Sequence, residues 1–350
     1  MNKIVVITGG TSGIGLELKK LFEANGDKVL TVSKRELSDE NHYSCDMRNE
    51  LKVKQVINGI GQKFGRIDLL INSAGLGMSG ITELVPTDDI IKLTEVDYFG
   101  VLYTIRSAIR FMSEGSRIVN ISSAMALFPV PFRSIYGSLK SAVLSLSYSL
   151  RMELKPMGID VVAICPGDIK TNFTENRIKN FETSERYGDR LVTATEKSDS
   201  RENKRMSAEK CALAIYKKLL KNKCKPMYII GGKYKFLHFL TRITPKSWLL
   251  GITGKIYGGQ FVAKVKNAKP VESAPIPQHN ETPRQPIAQE PIVETEKKEE
   301  PAVVEQPQIQ EEKPEIKKEE NVEQPKEEKK PAKKEESTSG LFRMINKMKK

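Results

Sequence analysis

The hydrophobic positions of the chain alternate between short, wholly apolar runs and longer stretches in which apolar residues recur at helical spacing. The apolar runs predict buried strands at Ile4–Ile7, Val29–Val32, Ile67–Asn72, Arg117–Ile121, Asp160–Ile164 and Met227–Ile230. The longer stretches predict helices at Leu16–Asn25, Leu51–Phe64, Asp89–Phe111, Tyr136–Leu154 and Ala208–Leu220. Apolar strands separated by helices are typical of a parallel sheet covered on both faces. The predicted fold class is therefore α/β, a doubly wound parallel sheet that binds ligands beyond the carboxyl ends of its strands.

The composition of the chain changes near residue 262. Between Lys266 and Glu336 there is no aromatic residue, and 13 Lys/Arg and 18 Asp/Glu are mixed with prolines. Such a segment cannot bury enough apolar surface to offset the entropy of ordering it. We therefore predict a single folded domain over residues 1–262, a disordered Lys/Glu/Pro-rich tail over 263–338 and a short amphipathic basic segment over 339–350.

Positive charge is concentrated in the last part of the predicted domain. Residues 201–265 carry 15 Lys/Arg against Glu202 and Glu209 alone, a net charge of +13, equal to that of the whole chain. A basic patch of this density favours an anionic surface, such as lipid headgroups, nucleic acid or an acidic carrier protein. Between Tyr234 and Tyr257 bulky apolar residues lie among the cations. This mixture predicts packing on the domain or on another subunit, or insertion into a membrane interface.

The extreme C-terminus repeats that mixture on a smaller scale. Apolar residues recur at helical spacing among four cations, at Leu341, Met344, Ile345 and Met348. A helix this short is marginal in water and needs an apolar partner. The pattern predicts an anchor for an anionic membrane or a protein groove.

The cysteines and the N-terminus limit the class of protein. The four cysteines show no paired short spacing, so neither a zinc site nor a disulfide framework is indicated, and no metal is expected. The first glycines come too early for a signal-peptide core, and no run of 18 apolar residues exists. We expect a cytoplasmic protein, with peripheral attachment to the inner membrane face suggested by the basic segments.

A glycine-rich turn follows the first predicted strand and opens a helix. Glycines there allow the backbone to approach a pyrophosphate, and the helix N-terminus supplies N–H donors and a favourable dipole. The expected phosphate-binding residues are Thr8, Gly9, Thr11, Ser12, Gly13, Ile14 and Gly15.

This turn has the Thr-Gly-x-x-x-Gly-x-Gly spacing and resembles that of the short-chain dehydrogenase/reductases. Further elements, in the family's order, are Asp46 with Met47, the run Asn72-Ser73-Ala74-Gly75, and Pro166-Gly167 followed by Ile169 and Thr171. The resemblance spans residues 3–260. It implies a Rossmann-fold oxidoreductase, usually a homo-oligomer, that works with a nicotinamide cofactor. It also implies cofactor contacts at Asp46, Met47, Asn72, Ala74, Gly75, Pro166, Gly167, Ile169 and Thr171.

The end of the second predicted strand distinguishes NAD from NADP. An NAD enzyme places an acid there to hold the ribose hydroxyls, whereas a cation accommodates the 2′-phosphate of NADP. Here Ser33 occupies the acid position, and Lys34 and Arg35 follow. The sequence therefore predicts NADP(H) as the cofactor.

Tyr136 and Lys140 are four residues apart, on one face of a predicted helix. An ammonium beside a phenol stabilises the phenolate and lowers the pKa from its usual value of about 10. Such a tyrosine can exchange a proton with a carbonyl or alcohol oxygen. The resemblance implies that Ser123, thirteen positions earlier, hydrogen-bonds the substrate oxygen and that Lys140 also binds the nicotinamide ribose. We expect Ser123, Tyr136 and Lys140 to be catalytic, and Tyr136 and Lys140 to contact the cofactor as well.

One position departs from the family pattern. Where the family has Val-Asn-x-x-Gly, this chain reads Val96-Asp97-Tyr98-Phe99-Gly100. In the family the asparagine helps to hold a proton-relay water beside the lysine, partly through its main-chain carbonyl. We count Asp97 among the catalytic residues and expect its extra carboxylate to raise the pKa of Lys140.

The predicted substrate end is apolar. Leu127–Phe132 suggests one wall, and the polar segment Thr171–Lys204 predicts a mobile lid that carries Phe173, Phe181 and Tyr187. The run from Gly75 to Gly80 resembles the family branch that acts on lipid-like carbonyls. We expect reduction of a hydrophobic ketone or aldehyde, with no nucleic-acid partner. The alternatives are a 3-oxoacyl-carrier-protein reductase, or a membrane- or partner-binding scaffold that retains the fold.

Overall fold

The computed structural model describes residues 2–171, 173, 177–199 and 205–258. The predicted tail and the amphipathic segment 339–350 lie outside these residues. The strands are β1 Ile4–Thr8, β2 Lys28–Ser33, β3 His42–Ser44, β4 Leu69–Asn72, β5 Met78–Ser79, β6 Arg117–Ile121, β7 Asp160–Pro166, β8 Ile169–Lys170, β9 Ile178–Lys179, β10 Met206–Ser207 and β11 Met227–Ile230. The α-helices are α1 Gly13–Ala24, α2 Glu50–Phe64, α3 Thr87–Thr94, α4 Gly100–Ala108, α5 Ser134–Leu154, α6 Arg190–Asp199, α7 Ala208–Leu219, α8 Gly232–Ile243 and α9 Lys246–Tyr257.

Seven strands form the main sheet in the order β11-β7-β6-β4-β1-β2-β3, and every neighbouring pair is parallel. The direction in which strands are added reverses between β1 and β4. Thr8 and Asn72 are register partners at the carboxyl ends of these two strands. The predicted doubly wound sheet is confirmed, and its ligand-binding crevice lies beyond these two residues.

The alternation of side chains along each strand fills two apolar layers. Val6 and Leu70 belong to the layer covered by α2, α4 and α5, and Val5 and Ile71 to the layer covered by α1 and α7. In the second layer Phe22 of α1 and Tyr216 of α7 meet edge to face, with ring centroids 5.0 Å apart. The strand side chains are buried on both sides, which explains why the strands read as continuous apolar runs.

The segment predicted as one helix, Asp89–Phe111, is divided in the structure. A five-residue π-helical turn, Glu95–Phe99, joins α3 to α4, and a 3₁₀ turn, Ile109–Phe111, ends α4. A π turn accommodates one more residue than an α turn, and such turns are frequent at functional sites. Asp97 lies in the middle of this turn, and its side chain is fully buried.

Part of the predicted lid is regular structure. β9 pairs with β5, and α6 follows it. Within the described ranges, no helix combines the length and the hydrophobicity needed to cross a membrane.

Candidate active site

The turn between β1 and α1 is held against the segment that follows β4. The hydroxyl of Thr8 accepts hydrogen bonds from the backbone N–H groups of Ser73 and Ala74, at 3.1 and 3.2 Å. Gly9 has a φ of +66°, and a Cβ there would lie 2.8 Å from the Ala74 backbone. A Cβ at Gly15 would lie 2.5 Å from the Gly9 carbonyl oxygen. Glycine is therefore required at both positions, because neighbouring backbone leaves no room for a side chain.

The N-terminus of α1 opens into a cavity of about 590 Å³. Ser12, the N-cap residue, makes no side-chain capping bond, and Gly13 and Ile14 line the cavity. The first N–H groups of a helix have no intrahelical partner and carry the positive end of its dipole. This end of the cavity therefore suits an anion.

The carboxyl end of β2 forms a second wall of the cavity. The hydroxyl of Ser33 accepts a hydrogen bond from the Thr11 hydroxyl at 3.1 Å, and the Arg35 guanidinium donates to the Thr11 carbonyl oxygen at 3.0 Å. Lys34 extends from the same edge and is largely exposed. This edge of the cavity thus carries two cations beside a neutral serine.

Asp46, the predicted adenine-side residue, is engaged by a neighbouring cation. Its carboxylate receives hydrogen bonds from Arg48 at 2.8–3.1 Å, and Lys34 lies 3.8 Å away. The side-chain hydrogen bond from Arg48 holds the pKa of Asp46 below its usual range. Arg48, which the sequence analysis did not single out, lines the cavity with Asp46.

Most of the predicted cofactor residues meet in this one cavity. Those that line it are Gly9, Thr11, Ser12, Gly13, Ile14, Ser33, Lys34, Arg35, Asp46, Met47, Ala74, Gly75, Tyr136, Lys140, Pro166, Gly167, Ile169 and Thr171. Thr8, Gly15 and Asn72 do not line it and instead support its walls.

Asn72 belongs to a buried chain of polar side chains that crosses the sheet. Its amide donates to the Asn120 side-chain oxygen at 2.8 Å, and its own oxygen accepts from Thr104 at 2.7 Å. The Asn120 amide then donates to Ser147 at 2.9 Å. These contacts link α4, β4, β6 and α5 at the level where the strands end.

Tyr136 and Lys140 lie on the face of α5 that borders the cavity, with the Lys140 ammonium 5.8 Å from the centre of the Tyr136 ring. Ser123 follows β6, and its side chain is close enough to the Tyr136 phenol to lower the pKa of that phenol. Its hydroxyl also accepts the N–H of Met125 at 3.1 Å, capping a short 3₁₀ turn over Ala124–Ala126. The three residues predicted to be catalytic are therefore brought together at one wall.

Asp97 lies beneath this wall and does not line the cavity. Its Oδ2 atom lies 3.0 Å from the Lys140 ammonium, and its Oδ1 atom accepts the Leu76 N–H at 2.6 Å. Both side chains of the ion pair are buried. The ammonium also lies 3.4 Å from the Ile121 carbonyl oxygen.

Burial and the neighbouring charges have opposing effects on the pKa of Lys140, and likewise on that of Tyr136. Burial lowers the pKa of Lys140, but the carboxylate of Asp97 and the phenol of Tyr136 outweigh burial, so the pKa is raised. Burial raises the pKa of Tyr136, the charge of Lys140 lowers it, and that of Asp97 raises it again. We expected Lys140 to bring this pKa below 10. Its influence has that sign, but the pKa of the phenol remains above its usual value.

The wall around Tyr136 is apolar. Its ring centre lies 6.1 Å from that of Phe173, and Leu76 and Met125 pack in the same cluster. Of the other aromatic residues predicted for the lid, Phe181 is exposed, and the Tyr187 hydroxyl donates to Glu83 at 2.9 Å. Phe173 alone of these three lines the cavity.

Cations that sequence reasoning missed also line this end: Lys92, Arg133, Arg177 and Arg205. The Arg133 guanidinium donates to the Met78 carbonyl oxygen at 3.1 Å. No spacing relates these four residues to one another in the sequence, because the fold brings them together from α3, the N-cap of α5, the lid segment and the residue after it. Arg48, by contrast, lies two positions after Asp46 and could have been found from that neighbour.

A neighbouring groove of about 480 Å³ shares Met125 and Arg133 with the cavity. Leu127, Val130 and Pro131, which were predicted to form a substrate wall, line this groove, together with Leu250 and Thr253 of α9. Phe128 is buried and packs edge to face with His238 of α8, at 6.4 Å between ring centroids.

Fold and site define the class of protein. A family model described as short chain dehydrogenase matches residues 3–181. The chain belongs to the short-chain dehydrogenase family, whose members are oxidoreductases that interconvert carbonyl and alcohol groups with a nicotinamide cofactor. The residues present fit that cofactor: glycine at positions 9 and 15 leaves backbone space, and the α1 N-terminus faces the cavity.

Individual proteins and solved structures also resemble this chain. The probable short-chain type dehydrogenase/reductase VdlC of Helicobacter pylori is 31% identical over 255 residues, which cover 70% of this chain and 94% of the relative. The 3-ketodihydrosphingosine reductase of Bacteroides thetaiotaomicron is 29% identical over 222 residues, which cover 61% and 82%. The solved structure of ElxO with NADP bound has a TM-score of 0.56 at 28% identity and covers 67% of this chain and 100% of its own.

Proposed function

We propose that this protein is an NADP(H)-dependent reductase of hydrophobic, lipid-like ketones or aldehydes, with Tyr136 as the general acid. One observation carries the proposal: a single cavity joins the cationic end of β2 to the phenol of Tyr136. The residues expected to hold the adenosine of a dinucleotide and those expected to act beside its nicotinamide therefore line the same cavity.

The preference for NADP(H) follows from the end of β2. A 2′-phosphate beside Ser33 would meet Lys34 and Arg35, and no carboxylate replaces the serine to repel it. Charge-assisted hydrogen bonds to phosphate are about twice as strong as neutral ones. The NADP bound to ElxO supports this assignment by similarity.

The remaining cofactor contacts can be inferred from the residues that line the cavity. The pyrophosphate would lie against the N–H groups at Gly13 and Ile14, and the adenine between Asp46 and Met47. Ala74, Gly75 and the segment from Pro166 to Thr171 would border the ribose and nicotinamide. When bound, NADPH supplies the hydride.

The side chains of this protein handle the proton. Ser123 would hold the substrate oxygen by a hydrogen bond, and Tyr136 would donate its phenolic proton to that oxygen. Lys140 would hold a ribose hydroxyl and place its charge near the phenol, where it stabilises the phenolate that remains. Asp97 does not line the cavity and contacts Lys140, so we assign it a positioning role through that lysine.

The electrostatics favour reduction over oxidation. Reduction begins from protonated Tyr136, and oxidation begins from the phenolate. Because the pKa of Tyr136 is raised, the protonated form dominates at neutral pH. The apolar cluster around the phenol suits a hydrophobic carbonyl, and the relative named 3-ketodihydrosphingosine reductase supports a lipid-like one.

The test is NADPH oxidation by the full chain over a panel of long-chain ketones, aldehydes and 3-oxoacyl thioesters, repeated with NADH. We expect turnover of a long-chain ketone or aldehyde and a higher kcat/KM with NADPH. Turnover of acyl thioesters alone would instead identify a 3-oxoacyl-carrier-protein reductase. NADPH binding without turnover of any substrate would favour a scaffold that retains the fold, and a preference for NADH would overturn the cofactor assignment.

A further inference from the structure

Helices α8 and α9 expose an apolar stripe. Seven of the sixteen large hydrophobic side chains that are exposed in the described residues belong to this pair: Phe236, Phe239, Ile243, Trp248, Leu250, Ile252 and Ile256. The side chain of Trp248 is 71% exposed and that of Ile243 is 67% exposed. We call these seven residues the α8–α9 face.

The spacing of the stripe is helical on both elements. Phe236, Phe239 and Ile243 are three and four positions apart on α8, and Trp248 and Ile252 are four apart on α9. Residues at these intervals lie on one side of a helix. Each helix therefore presents a continuous apolar edge rather than scattered apolar residues.

The opposite sides of the two helices are already packed on the domain. Leu249 and Thr253 of α9 are buried. On α8, Tyr234 hydrogen-bonds Asp168 through its hydroxyl, and a Cβ at Gly167 would overlap its ring. The α8–α9 face is thus the outer side of helices that the domain already holds, so the fold does not need it for its own core.

The segment that carries this face has charges of one sign. Residues 210–258 contain 11 Lys/Arg and no Asp or Glu. Five of these cations lie on α8 and α9 themselves: Lys233, Lys235, Arg242, Lys246 and Lys255. Burial and then the nearby charges of Lys235, Lys221 and Lys225 lower the pKa of Lys218, which reflects how closely the cations are gathered.

The apolar stripe and the cations beside it together indicate which kind of partner could cover the α8–α9 face. A second copy of the chain bound through the same face would bring together two helix pairs that carry cations and no carboxylate of their own, and like charges across an interface are unfavourable. Four of the seven residues of the face are aliphatic and offer no stacking surface to a nucleic-acid base, whereas all seven suit an apolar lipid boundary. Bulky apolar residues flanked by Lys and Arg, with a tryptophan among them, suit the boundary between lipid headgroups and acyl chains.

We propose that the α8–α9 face docks the protein on an anionic lipid surface, with its apolar side chains at the headgroup boundary and the surrounding lysines and arginine on lipid phosphates. Each basic residue near such a surface strengthens binding by about fivefold. The face is therefore sufficient for reversible attachment without a membrane-spanning segment.

The position of the face relates it to the cavity. The groove that shares Met125 and Arg133 with the cavity is bordered on its other side by Leu250 and Thr253 of α9. Docking would bring this groove close to the acyl region, and a lipid-like substrate could then enter along it. This route, unlike the docking itself, rests on the proposed function.

Trp248 allows a direct test, since it is the only tryptophan in the chain. Full-length protein is titrated with vesicles of phosphatidylcholine mixed with phosphatidylglycerol, whose negative surface potential attracts basic segments, and with vesicles of phosphatidylcholine alone. We expect a blue shift of Trp248 emission and quenching by bromine-labelled acyl chains with the anionic vesicles only. Binding that leaves Trp248 emission unchanged would assign attachment to another part of the chain, such as residues 339–350, and would overturn the proposal.

Two variants and a matched control complete the test. Lys233→Gln with Lys235→Gln should weaken vesicle binding at least tenfold, as expected from two lost basic residues of about fivefold each. Phe236→Ser with Phe239→Ser should weaken it at least as much, because burying one such side chain strengthens binding by about tenfold or more. Leu51→Ser with Met152→Ser changes equally exposed apolar residues elsewhere and should leave binding unchanged. Circular dichroism melting confirms that each variant is folded. A blue shift that grows with protein concentration in the absence of lipid would show that a second copy covers the face, and would also overturn the proposal.

Discussion

The Lys140 ammonium and the Asp97 carboxylate form an ion pair 3.0 Å apart, buried beneath the wall that carries Tyr136. The carboxylate balances the charge of the lysine, so the phenol responds to the pair and not to an isolated cation. Burial raises the pKa of Tyr136, and the Asp97 carboxylate opposes the lowering by Lys140, so the pKa stays above its usual value.

Removing only the phenolic hydroxyl should abolish proton transfer. Tyr136→Phe is expected to lower kcat by about 10²–10⁴-fold, the usual contribution of one general acid, while NADPH still binds. Tyr148→Phe is the matched control, because Tyr148 lies on the same helix and is partly exposed. A Tyr136→Phe enzyme that retained more than about a tenth of the rate would refute the assignment.

Replacing Asp97 with asparagine should shift the pH profile. The phenol loses a carboxylate that raises its pKa and keeps the influence of Lys140, Ser123 and Arg177, all of which lower it. Its pKa should therefore fall. Oxidation, which needs the phenolate, should then rise at lower pH, and reduction should decline earlier on the alkaline side. The check is kcat/KM in both directions from about pH 6 to 11, a range that brackets the tyrosine pKa.

The same substitution removes the carboxylate that raises the pKa of Lys140, and Tyr136 and Cys165 remain as charges that raise it. The variant should remain active at neutral pH. An unchanged profile, or a shift to higher pH, would show that Asp97 does not act on Tyr136 through charge.

The ion pair also predicts how substitutions of Lys140 and Asp97 combine in their effect on the free energy of unfolding. Lys140→Ala leaves a buried carboxylate without its cation, which typically costs about 3–5 kcal/mol, and it should also weaken NADPH binding. Adding Asp97→Asn should restore most of the free energy of unfolding but not the turnover, because the ammonium is still missing. Urea denaturation and kcat are measured on both variants. A Lys140→Ala protein as stable as the parent would contradict the ion pair.

The assignment of NADP(H) as cofactor predicts that replacing Arg35 lowers activity with NADPH and not with NADH. Arg35→Ala should reduce kcat/KM with NADPH by about 10–100-fold, the equivalent of about 1.5–3 kcal/mol for a hydrogen bond to a charged group. With NADH the change should stay within about twofold, because no 2′-phosphate is present. Equal losses with both cofactors would mean that Arg35 supports the turn through Thr11 and does not read the phosphate.

The buried polar chain predicts a cost in stability. Asn120→Ala would leave the amide of Asn72 without its acceptor, while the hydroxyl of Ser147 would lose one donor and keep its bond to the Val143 carbonyl oxygen. The buried amide without its acceptor should lower the free energy of unfolding by about 1–3 kcal/mol. Ser138→Ala, on the exposed side of α5, should change it by less than about 0.5 kcal/mol. Equal effects of the two substitutions would show that the chain across the sheet adds nothing to stability.

The sequence predicted the strands that have continuous apolar runs, because burial on both faces leaves a clear pattern. It did not predict β3, because His42-Tyr43-Ser44 is short and largely polar. Similarly, the apolar positions at Leu93, Val101 and Ile105 continue through the π turn, so nothing in their spacing marks the turn.

The candidate site was predicted where one local motif supplies it, as with Tyr136 and Lys140. Residues that converge from distant elements left no such signal. Arg177 lies in the lid segment and Arg205 directly after it, and only the fold shows that both reach the cavity. The ion pair of Asp97 was anticipated through its departure from the family pattern, but the bond to the Leu76 N–H was not.

Because Glu95–Phe99 forms a π turn, the number of residues in this segment determines where the Asp97 side chain points, as much as their identity does. Deleting one residue there would let α3 and α4 fuse into one uninterrupted helix with better hydrogen bonding. Each residue of an α-helix advances the side-chain direction by about 100°. The fused helix would therefore rotate either Asp97 or the apolar edge of α4 away from the interior. Redesigns that regularise this segment should lose the ion pair even if every residue around it is kept, and alignments of related sequences should permit no gap there.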